Sequence, residues 1–128
     1  MADVMACLCG SGRNFADCCG RYLDGGEVAP TAEALMRSRY SAYVLQREDY
    51  LLASWHASAR PARLGLADDV PTKWIGLEVV HHQQQDAAHA LVEFVARYKV
   101  HGRAHRLHET SHFVRDGGRW YYLDGELS

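Results

Sequence analysis

The chain has 128 residues, 48% of them hydrophobic and 23% charged, with 14 basic against 16 acidic side chains and a net charge of −2. That describes one globular domain with a small appendage and excludes a disordered chain. No apolar run approaches the length of a membrane span and the acidic total carries no basic field, so neither a membrane nor a nucleic-acid partner is expected.

The chain opens, from Met1 to Ala6, without a basic segment and long apolar core, so no secretory signal is expected. The expected compartment is the cytoplasm, where thiols stay reduced. The 4 cysteines then fall in one run, Cys7-Leu8-Cys9-Gly10-Ser11-Gly12-Arg13-Asn14-Phe15-Ala16-Asp17-Cys18-Cys19-Gly20. Two closely spaced pairs joined by a Gly-Ser-Gly turn fit a tetrahedral zinc held by four thiolates at about 2.3 Å. Gly10 and Gly12 let backbone N–H groups turn toward the sulfurs and spread the charge of a formally dianionic site. Phe15 is the apolar anchor, Cys18 and Cys19 close the site from a helical turn, and Gly20 releases the chain. Disulfides or free thiols are the alternative, but adjacent Cys18 and Cys19 bridge each other only with strain. Four protein thiolates leave no open position for water, so such a zinc is structural or part of an interaction surface.

The pattern C-x-C-G-S-G-R-x-F-x-x-C-C-G resembles the SEC-C motif, the zinc-binding tail of the preprotein-translocase ATPase. The resemblance implies one structural Zn2+ on Cys7, Cys9, Cys18 and Cys19, in a motif over residues 1–24. It also implies a protein partner from the translation or export machinery, docked through this knuckle. Leu8 stands where the translocase tail usually carries Pro.

Residues 20–30 read as a Gly-containing connector. Thr31 caps a helix, with Glu33 in its first turn, where negative charge suits the dipole. Leu35, Met36, Tyr40, Tyr43 and Val44 keep a 3.6-residue period to about Gln46, with Arg37 and Arg39 beside or opposite that stripe. Asp49 opens a short helix through Tyr50, Leu51, Leu52 and Trp55, with His56 at its end. Residues 60–71 contain Pro61, Gly65 and Pro71 and read as loop with one helical turn. From Lys73 the period is two, giving strands over 74–82, 88–100, 105–115 and 119–123. The turns are the polar segment 83–86, Gly102 and Asp116-Gly117-Gly118. Helices followed by an antiparallel meander make an α+β plan, a curved sheet wrapped on a helix around a cone-shaped cavity.

The stretches at 33–43 (EALMRSRYSAY), 50–56 (YL…SWH), 74–77 (WIGL), 93–98 (EFVARY) and 118–125 (GRWYYLDG) resemble the YchJ family of bacterial proteins of unknown function. That family joins an N-terminal SEC-C motif to an α+β domain similar to nuclear transport factor two, here residues 28–128. Many members carry a second SEC-C motif at the C-terminus. This sequence reaches Ser128 soon after Asp124-Gly125-Glu126, so a second zinc site is not expected.

Glu109, Ser111 and Phe113 share one face of the third strand, and His108, Thr110 and His112 the other. The resemblance matches at Glu109, Ser111 and Phe113, which implies that these face the cavity, near Tyr121 or near Trp120 and Tyr122. The helices can add Arg37, Tyr40, Trp55 and His56. The candidate ligand-binding residues are therefore Arg37, Tyr40, Trp55, His56, Glu109, Ser111 and Tyr122. One reading is a zinc-binding interaction or small-ligand-binding module. The other is an enzyme with Glu109, His56 or Arg37 as the catalytic groups, a Glu–His pair in an apolar cone doing acid–base work; such a pair can equally satisfy itself. No second metal site is expected, since His108 and His112 lie about 13 Å apart along a strand and His81 and His82 point to opposite faces. Arg97, Lys99, Arg103 and Arg106 read as a solvated hairpin face.

Overall fold

The structure, a computed structural model, describes residues 6–66 and 71–128. Part of the expected 60–71 loop therefore lies outside the described residues. The N-terminal run closes on itself first: the Cys7 N–H donates to the Arg13 carbonyl at 2.8 Å, and Ala6 bridges Asn14. Gly10 has φ 77°, and a Cβ there would lie 3.0 Å from the Leu77 carbonyl oxygen, so glycine serves both the turn and the close approach to the sheet. A 3-10 turn, Phe15–Asp17, leads into helix α1, Gly20–Leu23. The chain is thus not released at Gly20. The Tyr22 and Leu23 N–H groups each donate to the Cys19 carbonyl at 3.0 Å, and both side chains are buried.

Helix α2 spans Ala32–Val44, and Thr31 caps it, its Oγ1 accepting from the Ala34 N–H at 3.0 Å. Such a cap contributes about 1 kcal/mol. Leu35, Met36 and Tyr40 are buried as the stripe requires, but so are Ser38, Arg39 and Ser41. The knuckle, helix α3 (Glu48–Ala53) and the sheet all pack on α2. A helix covered on several sides buries residues that a single-stripe reading leaves outside. Ser38 Oγ donates to the Leu35 carbonyl at 2.7 Å and meets the Tyr50 hydroxyl at 2.7 Å, which satisfies it in the core.

Helix α3 stops before Trp55 because the last strand, β4 (Arg119–Leu127), claims the backbone beyond it. The Tyr122 N–H donates to the Ser54 carbonyl at 2.9 Å, and the His56 N–H to the Tyr122 carbonyl at 2.8 Å. The strands β1 (Thr72–Gln84), β2 (His89–Val100), β3 (Arg103–Asp116) and β4 (Arg119–Leu127) form one antiparallel meander in that order. Outer strands run past their expected ends because ladder pairing extends them: Gln84 faces Ala90, and Leu127 faces Glu109. Ile75 and Val80 in β1 and Leu123 in β4 are extra residues at register shifts. Bulges of this kind bend a sheet, here around α2. Ala90, Val92, Phe94, Ala96, Ser111 and Phe113 form the buried concave side. Trp120 is buried in the same core, while Tyr121, out of phase by one, meets His56 edge-on at 5.7 Å. No helix among the described residues is long and apolar enough to cross a membrane.

Candidate functional site

The sulfurs of Cys7, Cys9, Cys18 and Cys19 all lie within 4.8 Å of one another, and all four residues are buried and unbridged. Cys9 and Cys18 sulfurs are 3.7 Å apart. Sulfurs about 2.3 Å from one tetrahedral zinc are about 3.8 Å from each other, whereas a disulfide needs about 2.0 Å. Four soft donors with no competing oxygen fit a thiophilic ion. The cluster by itself ionises unevenly. The hydrogen bond with Cys19 draws Cys9 down to about 4, and Ser11 and Cys7 add to this against burial. That same contact pushes Cys19 up, with burial adding to it, and burial raises Cys18. Four thiolates at this spacing need a cation among them, which would offset half their charge and cross-link the turn to α1.

The cluster is joined to the body. Cys7 Sγ lies 3.9 Å from Ser41 Oγ of α2, and Arg37 Nη1 donates to the Cys9 carbonyl at 2.8 Å while its Nε pairs with Glu33 at 3.0 Å. Arg47 adds a second tie, donating to the Leu23 carbonyl at 3.1 Å. All four cysteines share one buried cluster with Leu35, Met36 and Phe113, so the knuckle is no free appendage.

A second site lies between α2 and the concave sheet, a cavity of about 280 Å³. Tyr40, Tyr43, Trp74, Phe94, Phe113 and Tyr122 give it ring-bearing walls, and Arg39, Glu109 and Ser111 supply its polar groups. Arg39 is 5% exposed. Its Nη1 donates to the Leu51 carbonyl at 2.7 Å and to Ser54 Oγ at 2.6 Å. Its guanidinium lies 4.5 Å from the Tyr122 ring centroid and 5.2 Å from that of Trp55. Burial pushes Arg39 down, with nearby tyrosines and Glu109 opposing that; a guanidinium keeps its proton regardless. Glu109 accepts from the Ser111 hydroxyl. Its carboxylate occupies the space a Cβ on Gly125 would need, so the glycine makes room for it. Burial first, and then the charge of Glu109, pushes Tyr122 well above the ordinary phenol range, and burial raises Tyr43. Both remain neutral O–H groups, available as donors inside the cone.

Of the residues expected there, Tyr40, Glu109, Ser111 and Tyr122 line the cavity and Arg37, Trp55 and His56 do not. Arg37 sits at the cysteine cluster; two positions along a helix turn a side chain to another face, and Arg39 takes the place in the cone. Trp55 stands behind Tyr122, edge-on at 4.9 Å, and His56 Nε2 lies 3.1 Å from the Asp116 carboxylate. Among the described residues no histidine lines the cavity. The Glu–His arrangement lies elsewhere on the sheet: His108 meets Glu93, and His112 meets Asp124, each at 2.6 Å. Arg39 is the residue that sequence reasoning passed over. Its one signal is the i, i+4 row Leu35–Arg39–Tyr43, which places it in line with core residues.

The chain has relatives along its whole length. The SEC-C motif matches residues 6–21, and the family described as YchJ, middle NTF2-like domain, matches residues 31–125. A UPF0225 protein from Ralstonia nicotianae is 55% identical over 137 residues, covering 99% of this chain and 94% of that one. Another from a Polaromonas species is 61% identical over 115 residues, covering 88% and 81%. Among solved structures, the solution structure of a SEC-C motif containing protein from Rhodopseudomonas palustris matches with a TM-score of 0.88 at 35% identity, over 97% of this chain and 99% of that chain. The crystal structure of a SEC-C motif containing protein from Psychrobacter arcticus matches with 0.78 at 32% identity, over 98% and 83%.

Proposed function

The chain belongs to the YchJ family, a SEC-C motif ahead of an NTF2-like domain, and from that footing we propose that it is a zinc-containing protein that binds a small molecule in its cone. The zinc, one ion on Cys7, Cys9, Cys18 and Cys19, is structural. The cytoplasm is the compartment that keeps those thiols reduced for it. One observation carries the reading: open volume beside the buried Arg39 and the half-buried Glu109, walled by aromatic rings. Protein interiors are packed to the density of organic crystals, and a ring-lined hollow with a few convergent polar groups is how small-molecule sites are built. The ligand is largely apolar, with a ring for the walls and one hydrogen-bonding end for Glu109, Ser111 and the tyrosine hydroxyls.

Native mass spectrometry of protein purified without chelators tests this. The expected spectrum shows one zinc and a small organic adduct, either carried from the cell or captured from a set of aromatic and heterocyclic compounds. Ala96→Phe, which fills the cavity from the sheet side, keeps the zinc and loses the adduct. A zinc protein that captures nothing, and that Ala96→Phe makes more stable, would show the cavity to be a packing fault. Conversion of a captured compound would shift the reading to an enzyme, with Glu109 as its carboxylate.

A second reading rests on the knuckle's outer side. Leu8 is a large apolar side chain left 38% exposed at its tip, a natural anchor for a protein of the translation or export machinery. Co-sedimentation of the zinc-loaded protein with ribosomes, lost in Leu8→Asp, is the expected result; no difference between the two proteins counts against it.

A further inference from the structure

At one end of the sheet β4 is missing from the ladder. It pairs with Glu109–Asp116 of β3 and leaves residues 103–107 as an open edge. There the register sets Lys73 directly opposite Lys99 and Arg97 directly opposite Arg106. The four side chains are exposed and share the face turned away from α2. Like charges directly opposite each other destabilise a strand pair, and here two such pairs are neighbours. Arg103, opposite Val100 on the other face, adds a further cation at the hairpin. Among the described residues of these strand ends, Glu78 is the carboxylate in reach, 3.9 Å from Arg97. Five of the 14 basic side chains thus gather at one end of a molecule whose net charge is −2, a segregation hidden by the total.

The other face of that end carries rings. Trp74 and Tyr98 have centroids 5.3 Å apart, and Tyr98 stacks on the exposed His105 at 5.2 Å, 19° from parallel. The two-residue strand period produces this from the runs Lys73-Trp74, Arg97-Tyr98-Lys99 and His105-Arg106, with cations on one side and rings on the other.

We propose that this end of the sheet binds single-stranded nucleic acid, with phosphates on Lys73, Arg97, Lys99 and Arg106 and a base against the Tyr98–His105 ring pair. Cationic tracks beside aromatic platforms are how proteins hold unpaired strands. An acidic peptide or an anionic lipid would engage the cations and leave the rings unused. The open edge of β3 gives the strand a path from one face to the other.

Fluorescence anisotropy of a fluorescein-labelled oligouridylate with the full zinc-loaded chain is the test. Binding is expected at low salt, with log K falling against log salt at a slope of about −3, from ~0.7 per phosphate for each of four contacts. Arg106→Glu should weaken binding about tenfold or more while raising Tm, because it places a carboxylate opposite Arg97. Binding and stability moving in opposite directions excludes unfolding as the cause. His105→Ala should weaken oligouridylate binding and leave binding of inorganic polyphosphate unchanged. The proposal is overturned if oligouridylate does not bind at low salt, or if Arg106→Glu leaves its affinity unchanged. It is equally overturned if polyphosphate, polyglutamate or phosphatidylglycerol vesicles bind as tightly as the RNA.

Discussion

Cys9→Ser is expected to strip the metal from the protein and to destabilise the whole domain, by about 4 kcal/mol or roughly 15 °C in Tm. The reason is placement. Cys9 is fully buried, its carbonyl accepts from Arg37, and the cluster it belongs to packs on the same α2 residues that cover the sheet. Losing the ion leaves thiols that cannot all ionise at this spacing, and the turn over Leu77 loses its cross-link. Chelator-treated wild type should match the variant. Acid should act in the same direction. Metal binding needs thiolates, so the bound form holds at neutral pH and is lost as pH falls and protons compete for the sulfurs. Zinc content by mass spectrometry and near-ultraviolet circular dichroism, which reports on packed rings such as Trp74 and Trp120, check this together. Metal loss with an unchanged aromatic signal and Tm would show the knuckle to be an independent unit.

Arg39→Met should be the most damaging single change in the cone, at about 3 kcal/mol or roughly 10 °C in Tm. The substitution keeps length and apolar stem but removes the charged donor to the Leu51 carbonyl and Ser54 Oγ, leaving them only the bonds that the Ser54 hydroxyl itself donates to the Tyr50 and Leu51 carbonyls, and removes the cation over Tyr122. It also removes a positive charge that interacts with Glu109. Arg39→Lys should recover little, because an ammonium lacks the flat face that lies on the Tyr122 ring. Glu109→Gln should cost far less, since the Ser111 hydroxyl can still donate to the amide oxygen. Urea unfolding of the three variants gives the ranking, and Arg39→Met within 1 kcal/mol of wild type would remove Arg39 from the account of the cone's stability.

Both sites combine features that sequence carries well with features it carries badly. The four cysteines are legible because metal ligation demands particular atoms at short spacing, and the Gly-Ser-Gly turn between them has little other use. The strands are legible because period two persists over long runs, as from Ala90 to Tyr98. Glu109 and Ser111 lie two apart on one strand face, so locating one in the cone located the other. Trp55 and His56 went astray for a local reason: the helix that would have carried them ends where the Ser54 carbonyl finds the Tyr122 N–H instead.

By itself, then, the sequence determined the types of the longer elements, though not helix α1, together with the α+β order and the cysteine quartet, because these rest on local periodicity and on chemistry concentrated in neighbouring residues. Only the tertiary structure decided that the knuckle is part of the core, that Arg39 rather than Arg37 enters the cone, and that Lys73 and Lys99, like Arg97 and Arg106, stand face to face. Each of these depends on which element covers a helix side or on which register two strands adopt. Those outcomes are set by packing across the whole chain, and local pattern does not encode them.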